Sequence, residues 1–151
     1  VRVRLNGKWG FVDKSGKEVV PPKYDNVWNF SEGLACVELN GKFGLVDKSG
    51  KEVVPLKYDE VGEFIEGLAF VELNGKSALI DKSGKEVVQL KKYDVIGFFS
   101  EGLVMVELNG KWGYINKSGK EVVPPKYEDV KIFEEGLAAA KLNGKWGFIS
   151  R

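Results

Sequence analysis

Apolar and polar residues alternate along most of this chain with a period of two. In LACVELN (Leu34 to Asn40), Ala35, Val37 and Leu39 share one parity, Cys36 and Glu38 the other. That alternation predicts a half-buried β-strand. Asn-Gly follows, a pair that tolerates positive φ and so favours a tight hairpin. KFGLVD (Lys42 to Asp47) is then the returning strand. DKSGK places Asp early and Gly late, as a type I turn closing into a bulge requires. KEVVP (Lys51 to Pro55) predicts a third strand, stopped at Pro55 because proline cannot donate to a ladder. KYDEVGEF (Lys57 to Phe64) is a fourth short strand or an irregular return, and IEG turns into the next stretch. β-Branched valines and a Gly or Pro every few residues oppose helices throughout.

The pattern repeats. Asn-Gly-Lys occurs at Asn6, Asn40, Asn74, Asn109 and Asn143, at spacings of 34, 34, 35 and 34 residues. The longer interval fits one inserted Lys in LKKYD (Leu90 to Asp94). Periods of this size mark supersecondary units that stack on one another. The predicted fold is all-β: a single repeat domain, 1–151, of about four and a half β-hairpin units. Units start near Asn6, Asn40, Asn74 and Asn109, with a terminal hairpin from Leu137. Of 19 glycines, 17 fall on four repeated positions, so glycine here marks geometry. Gly10, Gly44, Gly113 and Gly147 follow Trp9, Phe43, Trp112 and Trp146 inside a predicted strand. A strand glycine there implies a bulge or the close approach of another backbone or ring. The expectation is that each aromatic packs over a Gly or Pro of the neighbouring unit.

The run NGKWGFVDKSGKEVVPPKYDNVWNFSEGLACVEL resembles the WG repeat, also called the KWG repeat, of bacterial proteins. The NGKWG, DKSGK, PPKYD and FSEGLA segments occur in that order across essentially the whole chain. The resemblance implies a β-rich tandem array, often exported or surface-associated, and brings no catalytic residues with it. Unit three departs from the pattern: it reads NGKSALID, with Ser77 and Ala78 in place of the aromatic and Gly, and Gln89 in place of Pro. The joint nearest unit three is expected to be the weakest.

The ends bear on whether the units form an open, solenoid-like stack or a small closed β-propeller. The chain starts with the first two strands of a unit (Val1 to Asp13) and finishes with the same two (Ala138 to Ser150). Ends that duplicate and do not complement each other favour the open stack. Open arrays leave unpaired edges, which invite pairing with further copies.

Charge and composition exclude more than they select. Lys plus Arg is 23 against 22 for Asp plus Glu, a net charge of +1 in 151 residues, with no block of one sign. That gives no field to gather nucleic acid, and no apolar run approaches the ~18 residues of a membrane span. With no histidine and one cysteine, the commonest general base and thiolate metal clusters are missing. Cys36 takes the position of Phe70, Met105 and Ala139 in other units, which marks it as a packing residue. Asp13, Asp47 and Asp81, and Glu32, Glu66, Glu101 and Glu135, recur singly, too few per unit for a hard cation. The expectation is therefore no enzyme, no cofactor and no metal.

What remains is a binding or scaffold surface for protein or glycan. Its candidate residues are Tyr24, Tyr58, Tyr93 and Tyr127, each beside Lys and an acid, and Trp28, a tryptophan that no other unit repeats. The alternative is a building block that joins further copies of itself end to end through edge strands.

Overall fold

The computed structural model describes residues 1–89 and 91–151, and the regular elements in them are all β-strands. Leu90, the first residue of LKKYD, lies outside the described residues. Packing divides the chain into two compact units, Val1–Glu86 and Val87–Arg151. The division falls inside the third repeat, the one that departs from the pattern.

The first unit holds three antiparallel sheets in simple meanders. The first is β1 (Arg2–Leu5), β2 (Lys8–Val12) and β3 (Glu18–Tyr24); the second is β4 (Asn26–Val27), β5 (Leu34–Leu39), β6 (Lys42–Asp47) and β7 (Glu52–Tyr58). The third contains β8 (Glu60–Val61), β9 (Leu68–Leu73) and β10 (Lys76–Asp81), and β11 (Glu86–Gln89) begins on the unit's last residue. The second unit holds β12 (Val95–Ser100), β13 (Leu103–Leu108), β14 (Lys111–Asn116) and β15 (Glu121–Tyr127) in a fourth sheet. A fifth contains β16 (Asp129–Val130), β17 (Leu137–Leu142) and β18 (Lys145–Ser150). Each sheet is open; none closes into a barrel.

The turns follow from their residues. Asn6 and Gly7 take φ of 50° and 82°, and the other four Asn-Gly pairs repeat this, as a two-residue hairpin demands. In DKSGK, Gly16 N–H donates to the Asp13 carbonyl at 3.2 Å and Asp13 N–H to the Lys17 carbonyl at 2.9 Å. Gly16 sits at φ 84°, which completes the predicted turn and bulge.

The strand expected to stop at Pro55 runs on to Tyr58. Its register shows how: Leu45 opposes Val54 and Phe43 opposes Tyr58, so one residue of β6 faces three of β7. The prolines sit in that bulge, where no ladder donor is needed. A Cβ on Gly44 would lie 2.6 Å from the Val54 carbonyl oxygen and 3.0 Å from the Leu56 nitrogen. The strand glycine therefore admits the bulged third strand of its own sheet. The expected contact with a neighbouring unit is corrected by this geometry. Repeat three, with Ala78 in place of that glycine, also lacks the first proline, carrying Gln89, and β11 is four residues long against seven for β7.

The second sheet is buried on both faces and not half-buried, as the alternation alone suggests. Ala35, Val37 and Val46 pack with Phe11, Val20 and Tyr24 of the first sheet. Leu34, Leu45, Val54 and Tyr58, on the opposite face, pack with Phe64, Ala69, Val71 and Ile80 of the third. In the second unit Leu103, Met105, Tyr114 and Val123 pack likewise against Val130, Phe133, Ala138 and Ala140. No sheet of this size can exclude water from both faces by itself, so the core lies between sheets.

Candidate functional site

Tyr24, Tyr58 and Tyr127 lie at these joints. Tyr24, Tyr58 and Tyr127 are buried and Tyr93 is half-buried, so none of the first three lines a surface, contrary to the sequence expectation. The reason is register: Tyr24 opposes Trp9, and Tyr58 opposes Phe43, on the inward face just past the proline bulge. Each ring carries the preceding lysine, with ammonium-to-centroid distances of 4.9 Å for Lys57 and 5.1 Å for Lys23. Tyr24 Oη donates to Glu52 Oε1 at 3.0 Å, and Tyr93 Oη to Glu121 Oε1 at 3.0 Å, in each case reaching the next repeat. Desolvation, then the Glu52 carboxylate, pushes the Tyr24 phenol well above its ordinary value; desolvation, then the Glu121 carboxylate, carries Tyr93 to about 12. These hydroxyls are donors that tie repeats together.

The acids are engaged in the same way. Glu32 has φ 49°, a left-handed conformation uncommon for a side chain of its kind. Its carboxylate accepts the Gly67 N–H of the next repeat at 3.0 Å and pairs with Lys82 of the one after at 3.2 Å. Glu101 accepts the Gly136 N–H at 3.0 Å in the second unit. Asp25 and Asp59 accept the backbone N–H of Asn40 and Asn74 at 2.8 and 2.7 Å and pair with Lys8 and Lys42. Asp13 Oδ1 takes Ser15 N–H, Ser15 Oγ–H and Lys17 N–H within its own turn. No grouping of three potential metal ligands occurs among the described residues. Burial, with Glu38 second, pushes the Cys36 thiol up to about 12, so it carries no thiolate at neutral pH.

Trp28 is placed differently. It is 43% exposed and packs on Phe43 with ring centroids 5.7 Å apart. It lines a groove of about 590 Å³ between the second and third sheets of the first unit. Cys36, Phe43 and Leu45 join it on one side, Val61, Gly62 and Phe64 on the other, with Arg2, Glu60 and Glu63 supplying charge. None of the tyrosines reaches it.

The groove has a cause in the aligned repeats. Trp28, Gly62, Gly97 and Lys131 occupy equivalent positions, and the N–H groups of Trp28, Gly62 and Lys131 donate to the carbonyls of Cys36, Phe70 and Ala139. On each sheet this position shares a face with a residue of the next strand and with one lying diagonally, two places off the paired residue, on the strand after it, which gives the diagonal rows Trp28–Cys36–Phe43, Gly62–Phe70–Ser77, Gly97–Met105–Trp112 and Lys131–Ala139–Trp146. Bulk moves along the row. Where Phe70 fills the middle, Gly62 and Ser77 flank it, and a Cβ on Gly62 would meet Phe70 at 3.5 Å. Where the middle is Met105, Trp112 reaches over it to within 3.3 Å of a Cβ on Gly97. Lys131 stands over the Trp146 ring at 5.3 Å. Ser77 is thus the counterpart of Phe70, a compensation visible only when all three positions are aligned together. The groove opens where the second sheet carries Trp28 and the facing sheet carries Gly62.

Comparison with proteins of known structure finds distant likeness. Hsv2 with loop 6CD replaced by a Gly-Ser linker aligns at 9% identity and TM-score 0.46, over 79% of this chain and 45% of that one. Hsv2 of Kluyveromyces lactis aligns at 9% identity and TM-score 0.42, over 74% and 39%. Hsv2 of Kluyveromyces lactis with the complete loop 6CD aligns at 8% and 0.44, over 78% and 46%. The chain thus spans less than half the length of each. No curated protein matches the sequence. The model of the WG containing repeat matches residues 9–43, 43–76, 79–112 and 112–146, in register with the units found above. On that coverage, this chain belongs to the WG repeat family.

Proposed function

We propose that the chain is a non-enzymatic repeat module that presents a recognition surface, and that the groove beside Trp28 is where a protein partner docks. The carrying observation is a half-exposed tryptophan that borders an apolar concavity of about 590 Å³, a groove that the more exposed Phe98, Trp146 and Phe148 do not line. Such volumes suit one or two side chains of a bound segment. The apolar floor of Cys36, Phe43 and Leu45 favours an aliphatic or aromatic anchor, and Arg2 with Glu60 and Glu63 selects polar groups flanking it. A scaffold whose carboxylates and tyrosines are tied into turns and joints holds that surface in a fixed shape.

Panning a displayed peptide library on the intact chain tests this. Trp28→Ala removes one wall, and Gly62→Leu fills the groove from the facing sheet, where the added Cβ makes an ordinary 3.5 Å contact. Peptides sharing an apolar anchor, retained on the unmodified chain and lost on both variants, are expected. No enrichment, or enrichment indifferent to both substitutions, would reject the groove. Retention instead of glycans on an array, with the same dependence on Trp28, would replace the protein partner with a sugar.

A further inference from the structure

Several of the less buried aromatic rings in this molecule are covered by a cation of their own chain. The Arg4 guanidinium stands 5.7 Å from the centroid of Trp9, and the Lys117 ammonium 5.6 Å from that of Phe99. Lys131 covers Trp146 at 5.3 Å. In each case the ring quadrupole attracts the charge. The second sheet differs, because Trp28 stands at the position of Lys131 and packs on Phe43. Although Trp28 is 43% exposed, no lysine or arginine stands over it in turn among the described residues.

The opposite wall of the groove carries two carboxylates, Glu60 and Glu63, on either side of Val61 and Gly62. In the register of β8 and β9, Glu60 lies directly opposite Glu72. Like charges placed so repel each other. The equivalent pairs of the other sheets avoid this conflict. Asn26 opposes Glu38 and donates to its carboxylate at 2.7 Å, Asp129 opposes Lys141, and Val95 opposes Glu107. The side chains of Glu60, Glu63 and Glu72 have neither a hydrogen bond nor an ion pair among the described residues. Arg2, the one cation lining the groove among those residues, donates to the Val27 carbonyl at 3.4 Å and pairs with none of the three. An uncovered tryptophan and a repelling pair of acids thus meet at one concavity, and both lack the same thing, a positive charge.

Given that the groove beside Trp28 is the docking site, on which this rests, we propose that its ligand is a basic protein segment anchored by an arginine. The guanidinium stacks on the exposed face of Trp28 and donates to the carboxylates of Glu60 and Glu63. An apolar neighbour in the same segment covers the floor of Cys36, Phe43 and Leu45. Arginine suits this site better than lysine. Its flat, weakly hydrated head can lie on an indole while its fork reaches two acceptors, whereas an ammonium is a compact and strongly hydrated point charge. The same contact offsets the repulsion between Glu60 and Glu72, which the free chain holds unrelieved. Acids kept together at a loss of stability are what a site for a cation requires.

The test pans a displayed peptide library, with one apolar position fixed and its flanks random, on the full chain. The recovered sequence is then titrated as a labelled peptide by fluorescence anisotropy. Arginine should be enriched beside the fixed position. Its replacement by glutamine should weaken binding about tenfold or more, and its replacement by lysine severalfold. On a Glu60→Gln, Glu63→Gln double variant the gap between the arginine and glutamine peptides should shrink severalfold, the coupling that a double-mutant cycle reads. The double variant should also unfold at a slightly higher urea concentration than the parent, since the repulsion across Glu72 is gone, so lost binding is not lost folding. Peptides that need Trp28 but carry no arginine would keep the groove as a docking site and overturn the choice of ligand. No enrichment at all would reject both. An arginine peptide indifferent to the double variant, or a lysine peptide that binds as tightly, would overturn the proposal. So would a lowered urea midpoint, which would mean that the two glutamates are held by partners in their own chain.

Discussion

The same seven residues, Leu-Asn-Gly-Lys-Trp-Gly-Phe, stand at Leu5–Phe11 and again at Leu142–Phe148. They fold alike: Asn6 and Asn143 take φ of 50° and 51°, and both copies form a hairpin into a second strand. Their surroundings differ. Phe11 is 4% exposed, 4.8 Å from the Phe30 ring and covered by the second sheet, whereas Phe148 is 77% exposed. Identical local sequence therefore produces identical local structure, while burial is decided by strands and sheets further along the chain. In a repeat protein the energetic weight of a residue depends on its place in the array.

This contrast should be largest for the phenylalanines. Phe11→Ala removes a ring from a packed joint and is expected to cost about 3–5 kcal/mol. Phe148→Ala removes a ring already in water and should change stability by less than about 0.5 kcal/mol. Urea unfolding of the two variants, followed by circular dichroism, measures the gap. Equal losses would mean that Phe148 has a partner in solution.

The glycines give the next contrast. Gly113→Ala forces a Cβ to within 2.4 Å of the Val123 carbonyl oxygen and must push the proline bulge aside. Such overpacking is expected to cost about 1–3 kcal/mol, and Gly147→Ala, in open space, should stay within about 0.5 kcal/mol. Neither position has the left-handed backbone that would confuse the comparison. A destabilised Gly147→Ala variant would show that the edge of β18 is not open.

Much of the fold was legible because it is local. Alternation identifies the long strands, and Asn-Gly and Asp-Lys-Ser-Gly identify their turns, since both depend on neighbours within a few residues. Pro55 misleads as a strand terminus because a bulge lets a strand pass through a proline, and only the partner glycine discloses it. Tyr24 and Tyr58 look like surface residues beside Lys and Asp, but the bulge inserts an even number of residues and so leaves each tyrosine on the same inward face as Val20 and Val54. Trp28 was identifiable as an unrepeated tryptophan. That it borders a groove depends on Gly62 across the joint, a relation between two sheets that no single strand records.

The smallest of these contrasts concerns the turns. Asp13, Asp47 and Asp81 each sit below their ordinary value of 3.8, chiefly because the neighbouring serine hydroxyl donates to the carboxylate. Asn116 holds the equivalent turn without a charge: its Oδ1 accepts Ser118 N–H at 3.0 Å, Ser118 Oγ–H at 2.7 Å and Lys120 N–H at 3.0 Å. A carboxyl whose folded value is depressed contributes stability that is complete above its unfolded value and disappears as pH falls through the folded one. The three aspartate turns should therefore weaken below about pH 4, while the asparagine turn should not change. A triple variant, Asp13→Asn, Asp47→Asn and Asp81→Asn, keeps the hydrogen-bond geometry and removes this dependence. It should be somewhat less stable than the parent near neutrality, where the charged acceptor bonds more strongly, and should converge on it in acid. Asp25, Asp59 and Glu121, held down first by Lys8, Lys42 and Lys92, keep an acid-labile component in both proteins. The difference between the two urea midpoints, followed from about pH 7 to about pH 2.5, isolates the turns. A difference that is flat with pH would mean that these carboxylates gain nothing from their serines on folding.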